Sequence, residues 1–331
     1  MKILILGNFE YTNDLIYRLK DTPFLKENQI DLMYSVPKPI SKRKIFKYLK
    51  KLNFERFLIQ INLRFYYNSY RDIIDKLFPS RDTSFLNSYS NIKILKYFGI
   101  ERIEKLHEYD FMIISTFSEK IPAHIYNKPK RRTLNIHPSY LPRLRGGYPT
   151  YVEAYKKSNK SGTSIHFMED KYDNGALIFQ EEYDVDPRLN NNQRYKLSTV
   201  VAANFLNKLH TNNFDISQKE QDGELISYCH KIIKFKREIN SIPLNEDFGG
   251  FVRANYAKHL FPFTHSIKQF RLFSILSVKE YNAIDTPILK RSSNHKILKY
   301  NDKYFIKHNV KCFEIIEYIW KGKYYKTDLL K

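Results

Sequence analysis

Residues 2–7, Lys-Ile-Leu-Ile-Leu-Gly, are an unbroken apolar run closed by a glycine. A run this short and uniformly apolar reads as a strand buried on both faces, the kind that a parallel sheet covered by helices requires. "YTNDLIYRLK" follows with helical periodicity and Asn13 as its candidate cap, and "IDLMYSV" reads as a second strand. A βαβ opening of this kind predicts a doubly wound sheet. The turn after the first strand, "GNFEYTN", lacks the GxGxxG spacing, so no dinucleotide site is assigned.

The same grammar returns further on. "IKILKY", "DFMIIST" and "RTLNIH" read as strands, and "YPTYVEAYKK" starts a helix with Pro149 in its first turn. "GTSIHFM" and "ALIFQEEYDV" read as strands flanking the turn "EDKYDNG", and "QRYKLSTVVAANFLNKLH" is a long amphipathic helix. Residues 38–90 are basic and aromatic; they read as a helical insertion with a solvated basic face, or as a substrate or membrane-surface contact. Past residue 215 a polar connector leads to short alternating strands in "FRLFSILSVKEY", "HKILKY", "KYFIKH" and "CFEIIEYIW". The expected fold class is therefore α/β, a Rossmann-like doubly wound and mostly parallel sheet with a small, barrel-like C-terminal β domain. The expected division is a catalytic domain at 1–215, a linker at 216–235 and the accessory domain at 236–331.

Composition narrows the partners. Lys and Arg total 56 against 35 Asp and Glu, a formal net charge of +21 over 331 residues. That excess reads either as a lysine-rich solvated surface or as a preference for an anionic partner: nucleic acid, a membrane surface or a phosphorylated small molecule. Only Cys229 and Cys312 occur, far apart and without metal-ligand spacing, which predicts a reducing, cytoplasmic setting with no disulfide framework and no metal. No window is apolar enough to span a bilayer, and no cleavage-type pattern follows the first apolar run.

The chemistry concentrates in "LNIHPSYLPRLRGGYP", residues 134–149. Asn135 and His137 are two apart, so on a strand they share a face. In an open α/β sheet the ligand crevice lies beyond the carboxyl ends of the strands. There an Asn and a His can hydrogen-bond a carbonyl oxygen and manage a proton, and the glycines that follow allow close backbone approach. Asp173, in "EDKYDNG", could return to the same crevice and raise the basicity of His137. Each pattern alone also has a structural reading, as a satisfied polar pair or as a hairpin turn.

Order and spacing together are more specific. "MKILILGNFEY", "IISTFSEKIPAHIYN", "LNIHPSYLPRLRGGYPTYVEAY", "SGTSIHFMEDKYDNGALIFQEEYDV" and "ISYCHKIIKFK" occur in an order that resembles the folate-dependent formyltransferase family, from residue 1 to about 230 with residues 38–90 matching poorly. The resemblance implies a catalytic set of Asn135, His137 and Asp173. It implies 10-formyltetrahydrofolate as co-substrate, held by Phe117, Ser118, Glu119, Lys120, Ile121, Lys171 and Tyr172, with no metal. His166 is read as structural, or as backing the catalytic set. The expected chemistry is attack of a neutral amine on the formyl carbon through a tetrahedral intermediate. Asn135 would donate to the developing oxyanion, His137 would share that task or take the proton, and Asp173 would orient His137.

The acceptor is read from the loop. The tRNA enzymes of the family usually carry Asn-x-His-Ala-Ser-Leu-Leu-Pro and then Arg-Gly-Ala-Ala-Pro, whereas here Pro138, Tyr140 and Arg-Gly-Gly-Tyr-Pro stand in those places. His-Pro-Ser is more similar to the sugar and ribonucleotide enzymes. The expected acceptor is a nucleotide-linked amino-dideoxy sugar destined for surface polysaccharide, bound by Arg143, Arg145, Gly146, Gly147 and Tyr148. Arg143 and Arg145 read equally as diphosphate ligands or as loop anchors. The alternative is methionyl-tRNA formyltransferase activity on initiator tRNA, since the C-terminal β region is loosely similar to the accessory barrel of that enzyme. That barrel is compatible with tRNA phosphates, with packing, or with a homodimer contact.

Overall fold

The computed structural model describes residues 1–35, 83–97, 99–103, 105–117, 119–229, 242–255, 264–268, 271–281, 291–320 and 323–327. The basic insertion read at 38–90 lies outside the described residues up to position 82, and so does Ser118.

The larger sheet is built from β1 (Lys2–Gly7), β2 (Gln29–Tyr34), β3 (Ile92–Leu95), β4 (Phe111–Ser115), β5 (Thr133–His137), β6 (Lys160–Phe167) and β7 (Leu177–Asp184). Its order is β3-β2-β1-β4-β5-β6-β7. The first five strands are parallel, while β6 and β7 complete the sheet as antiparallel neighbours. The uniform hydrophobicity of β1 has the expected cause. Ile3 and Ile5 enter one core with Leu15, Ile16, Ala202 and Leu206, and Leu4 and Leu6 enter another with Leu106, Ile121 and Ile125. Helices α1 (Phe9–Leu19) and α5 (Asn191–Thr211) supply the first of these layers, and α3 (Ala123–Tyr126) belongs to the second. The short helix α2 (Pro23–Glu27) leads into β2.

The cap of α1 is Asn8, not Asn13. The Asn8 side chain accepts the Tyr11 N–H at 3.0 Å, and its own N–H donates to the Thr116 carbonyl at 2.9 Å. Asn13 is buried inside the helix and accepts the Tyr34 hydroxyl. Extending the helix back to Phe9 leaves its first-turn N–H groups beside Asn8, where an Asx side chain can satisfy them.

Helix α4 (Pro149–Lys156) opens on Pro149 and carries the link to the C-terminal region. Helix α6 (Phe248–Ala254) packs on it, with Arg253 Nε donating to the Ala154 carbonyl at 3.2 Å and Asn255 Nδ2 to the Tyr151 hydroxyl at 3.0 Å. A Cβ on Gly250 would stand 2.6 Å from the Tyr155 carbonyl oxygen, so the close approach of the two helices requires glycine. Phe248, Phe251 and Val252 on the other side of α6 enter a core with Ile275, Ile306, Phe313 and Ile315. Those residues belong to a separate six-stranded antiparallel sheet, ordered β10-β11-β12-β9-β8 with β13 beside β12. Its strands are β8 (Thr264–Lys268), β9 (Arg271–Tyr281), β10 (Ile297–Tyr300), β11 (Lys303–His308), β12 (Lys311–Trp320) and β13 (Lys323–Lys326).

Candidate active site

Strand order reverses at β1, which has β2 on one side and β4 on the other, so the chain leaves a crevice at the carboxyl ends of β1 and β4. A cavity of about 390 Å³ occupies this position and extends under β5. Asn8 after β1, Thr116 and Phe117 after β4, and Asn135, His137 and Pro138 at the end of β5 all line it. The turn between β6 and β7 completes the wall with Tyr172 and Asp173.

Four side chains meet there: Asn135, His137, His166 and Asp173. Asn135 Nδ2 donates to Asp173 Oδ1 at 3.3 Å and lies 3.0 Å from His166 Nε2. The same Asp173 oxygen is 3.6 Å from His137 Nδ1 and 3.6 Å from His166 Nε2. Asp173 Oδ2 accepts the Gly146 N–H at 2.7 Å. The two-residue spacing of Asn135 and His137 thus delivers both to one carboxylate.

The hydrogen bonds fix the tautomers. A ring nitrogen that faces a backbone carbonyl carries the proton. His137 Nε2, 3.0 Å from the Leu144 carbonyl oxygen, is therefore the N–H, and Nδ1 presents its lone pair beside Asp173. His166 Nδ1, 2.7 Å from the Phe167 carbonyl oxygen, is likewise the N–H, and its Nε2 accepts from Asn135. Burial pushes the His137 imidazole below its ordinary range, with Asp173 pulling the other way. Burial opposes charge on Asp173 too, but the His137 and His166 imidazoles, once protonated, and the Gly146 N–H outweigh it and hold the carboxyl well below the usual carboxylate range. The resting pair is a carboxylate beside a neutral imidazole.

The two loops that carry this geometry are shaped by local constraints. Ser164 Oγ donates to the Ser139 carbonyl at 2.8 Å and accepts the Leu141 N–H at 3.0 Å. Asp173 itself adopts φ +51°, a left-handed conformation that Asp tolerates. At Gly175 a Cβ would stand 1.9 Å from the Phe167 carbonyl oxygen, so the turn closes against β6 only with glycine. A strap at residues 219–229 then crosses both loops. Lys219 forms a bridge with Leu177, and Tyr228 forms one with Arg145.

The remaining residues expected from sequence separate clearly. Phe117, Glu119, Lys120, Ile121, Tyr172, Gly146, Gly147 and Tyr148 line the cavity; Lys171, Arg143 and Arg145 lie outside its lining. Both arginines, read as diphosphate ligands or as loop anchors, contact protein groups. Arg145 is buried and spends Nη1 on Asn174 and Nη2 on Gln221, each at 2.7 Å. Arg143 pairs with Glu182 and lies over the Tyr140 ring. Residues that the linear reading missed are Asn8, Tyr11, Thr150, Asn191 and Tyr195, which also line the cavity. Tyr11 and Tyr195 stack at 3.6 Å between ring centroids. No local motif marks them, because α1 and α5 meet only through the tertiary fold.

The described residues hold no group of three or more His, Cys, Asp or Glu placed to ligate a metal. No helix among them is long and apolar enough to cross a membrane, and Cys229 and Cys312 are both buried and outside any disulfide.

Comparison with known proteins finds formyl transferases. Residues 98–204 match the family model described as formyl transferase. A methionyl-tRNA formyltransferase of Bacillus cytotoxicus is 27% identical over 150 residues, covering 44% of this chain and 47% of that protein. Its counterpart in Bacillus subtilis is 31% identical over 142 residues, covering 42% and 44%. The chain thus matches less than half the length of these curated relatives. Among solved structures, WlaRD, a sugar 3N-formyl transferase crystallised with dTDP and 5-N-formyl-THF, is 16% identical with a TM-score of 0.50, and 98% of each chain is covered. An N-formyltransferase from Helicobacter canadensis in complex with folinic acid and dTDP-3-aminofucose is 13% identical with a TM-score of 0.51, covering 98% and 100%. HypX from Aquifex aeolicus reaches 0.56 at 14% identity over 97% of this chain and 44% of its own. These structural likenesses are of fold.

Proposed function

We propose that the chain, whose residues 98–204 match the formyl transferase family model, moves a formyl group from 10-formyltetrahydrofolate to an amine on a nucleotide-linked amino-dideoxy sugar. The observation that carries the reading is the convergence of Asn135, His137 and Asp173 at one carboxylate oxygen in the crevice.

The cavity suits the folate. Ile114, Phe117, Ile121 and Met168 offer apolar walls to a flat heterocycle, and the carboxylates of Glu119, Glu169 and Asp170 offer acceptors to its N–H groups. The bound co-substrate would supply an activated formyl carbon and leave as tetrahydrofolate.

The residues divide the remaining work. His137 Nδ1 holds the proton lost by the attacking amine, because its Nε2–H is committed to Leu144. Asp173 stabilises the imidazolium so formed. His137 then returns that proton to the leaving nitrogen and regains its neutral form. Asn135 Nδ2 supplies the hydrogen bond that the carbonyl oxygen needs as it becomes negative, exchanging its long 3.3 Å bond to Asp173 for it.

The sugar acceptor is supported by the His-Pro-Ser loop and by the neutral, hydroxyl- and amide-bearing wall of Asn8, Tyr11, Thr150, Asn191 and Tyr195, which suits a polyhydroxyl ring. A role in surface polysaccharide synthesis follows from that substrate class. The second reading is formylation of methionyl initiator tRNA, favoured by the names of the sequence relatives. Purified protein supplied with 10-formyltetrahydrofolate is to be offered dTDP- and UDP-linked amino sugars and charged initiator tRNA in parallel. Formylation of a nucleotide-linked sugar is expected; formylation of the tRNA alone would replace the first reading by the second. Thermal stabilisation by dTDP or UDP, compared with tRNA at two salt concentrations, gives a readout independent of turnover.

A further inference from the structure

The strap at residues 219–229 makes more of the site's geometry than a connector requires. Gln221 spends its whole amide on the site: Nε2 donates to the carbonyl oxygens of Asp173 and Gly175, each at 2.9 Å, and Oε1 accepts Arg145 Nη2 at 2.7 Å. Those bonds hold Asp173 in its left-handed conformation from the backbone side while joining its turn to the loop that carries Gly146. Further along, Ser227 Oγ accepts the Leu144 N–H at 2.9 Å, and the Ser227 carbonyl accepts the Arg145 N–H at 2.8 Å. The Cys229 N–H donates to the Arg145 carbonyl at 3.0 Å, and its thiol to the Leu144 carbonyl at 3.2 Å. Leu144 O is the acceptor that fixes the tautomer of His137. The strap therefore touches the backbone on both sides of the His137–Asp173 pair without touching the cavity.

We propose that Gln221 is a positioning residue for the reaction: by clamping the Asp173 turn to the Arg145 loop, it sets the distance between Asp173 and His137. The proposal rests on the formyltransferase reading for its effect on rate, but not for its effect on His137. A left-handed backbone at a working residue persists where its surroundings over-determine it, and Gln221 supplies two bonds to the Asp173 turn and a third that ties it to Arg145. A carboxylate free to swing by an ångström loses alignment, which costs about 10²-fold in rate.

The test uses the full chain with Gln221→Ala and Gln221→Glu. The Glu variant keeps an acceptor for Arg145 and removes both bonds donated to the turn. Each variant is examined for folding by circular dichroism, for the His137 titration midpoint by NMR, with His137→Ala to assign the signal, and for kcat and KM of formyl transfer. The expected result is a folded Gln221→Ala with a lower His137 midpoint, because the carboxylate that raises it has moved away. Its kcat falls about 10²-fold with both KM values changed far less. Folded variants with wild-type His137 midpoints overturn the proposal. So does a Gln221→Glu chain that fails to fold, since Gln221 would then belong to the fold rather than to positioning. Should the wild type transfer no formyl group at all, the functional reading falls and the NMR midpoint still decides the role of Gln221.

Discussion

Nδ1 of His137 stands 3.6 Å from Oδ1 of Asp173, and both side chains are nearly withdrawn from solvent. At that separation in a buried site the carboxylate senses every change of charge on the imidazole. The pair is thus electrostatically coupled, and it is held from one side by Leu144 and from the other by Gly146.

Asp173→Asn tests the charge alone, because Asn fits the left-handed backbone and nearly matches the shape. The expected outcome is a folded protein whose kcat is lower by about 10²–10⁴-fold, the usual worth of positioned proton transfer. Steady-state formylation with the preferred acceptor measures it.

Asn135→Ala removes the donor to the developing oxygen charge and is expected to lower kcat by about 10²–10³-fold. The KM for the acceptor is expected to change much less. A loss confined to KM would remove Asn135 from the reaction and leave it a binding group.

The pH dependence has a defined sign. His137 acts as a base only when neutral, and its folded value is shifted below 6.5, so the acid limb of kcat/KM is expected below that pH. In Asp173→Asn the limb moves lower still, because the charge that opposed the shift is gone. Stability follows from the same shifts. Between the folded and unfolded values of His137 the unfolded chain binds more protons, so the Tm falls as pH drops below 6.5. The contribution of Asp173 is fully present above its ordinary 3.8 and is lost as pH falls through its depressed folded value. Thermal denaturation across pH in wild type and Asp173→Asn checks both windows.

The two loop arginines are expected to behave differently. Arg145→Ala leaves Asn174 Oδ1 and Gln221 Oε1 without their guanidinium donor and costs about 2–4 kcal/mol. Arg143→Ala breaks a partly exposed pair with Glu182 and costs about 1 kcal/mol or less. Urea unfolding of the two variants at equal salt gives the comparison.

Gly175→Ala forces a methyl to within 1.9 Å of the Phe167 carbonyl oxygen, which the turn can relieve only by moving. A destabilisation of about 1–3 kcal/mol is expected, with a larger fractional loss of rate because Asp173 rides on the same turn. Gly147→Ala is the comparison for stability, since a Cβ there meets nothing within 4 Å.

What was legible in the sequence follows from how local each signal is. The strand runs, the shared face of Asn135 and His137, and Asp173 on its glycine turn are written in neighbouring residues. Asn13 was misread as a cap because helical periodicity locates a face more sharply than a first residue, and Asn8 lay one turn earlier. Tyr195 and Tyr11 are far apart in the chain, and only the packing of α5 on α1 makes them one wall. Gln221 sat in a polar stretch that reads as a connector, since hydrogen bonds to distant carbonyl groups leave no hydrophobic trace. Arg145 carried a motif that suits phosphate, and burial against Asn174 and Gln221 assigned its donors elsewhere.

The strap also bears on how the protein is made. A nascent chain that has emerged only as far as Asp215 already displays Asn135, His137 and Asp173, yet it lacks every bond from Gln221, Ser227 and Cys229 that fixes their loops. Domains form from the N-terminus as synthesis proceeds. Here the sheet and α5 can assemble early, while the candidate site reaches its final geometry only after the residues leading into the C-terminal region have left the ribosome.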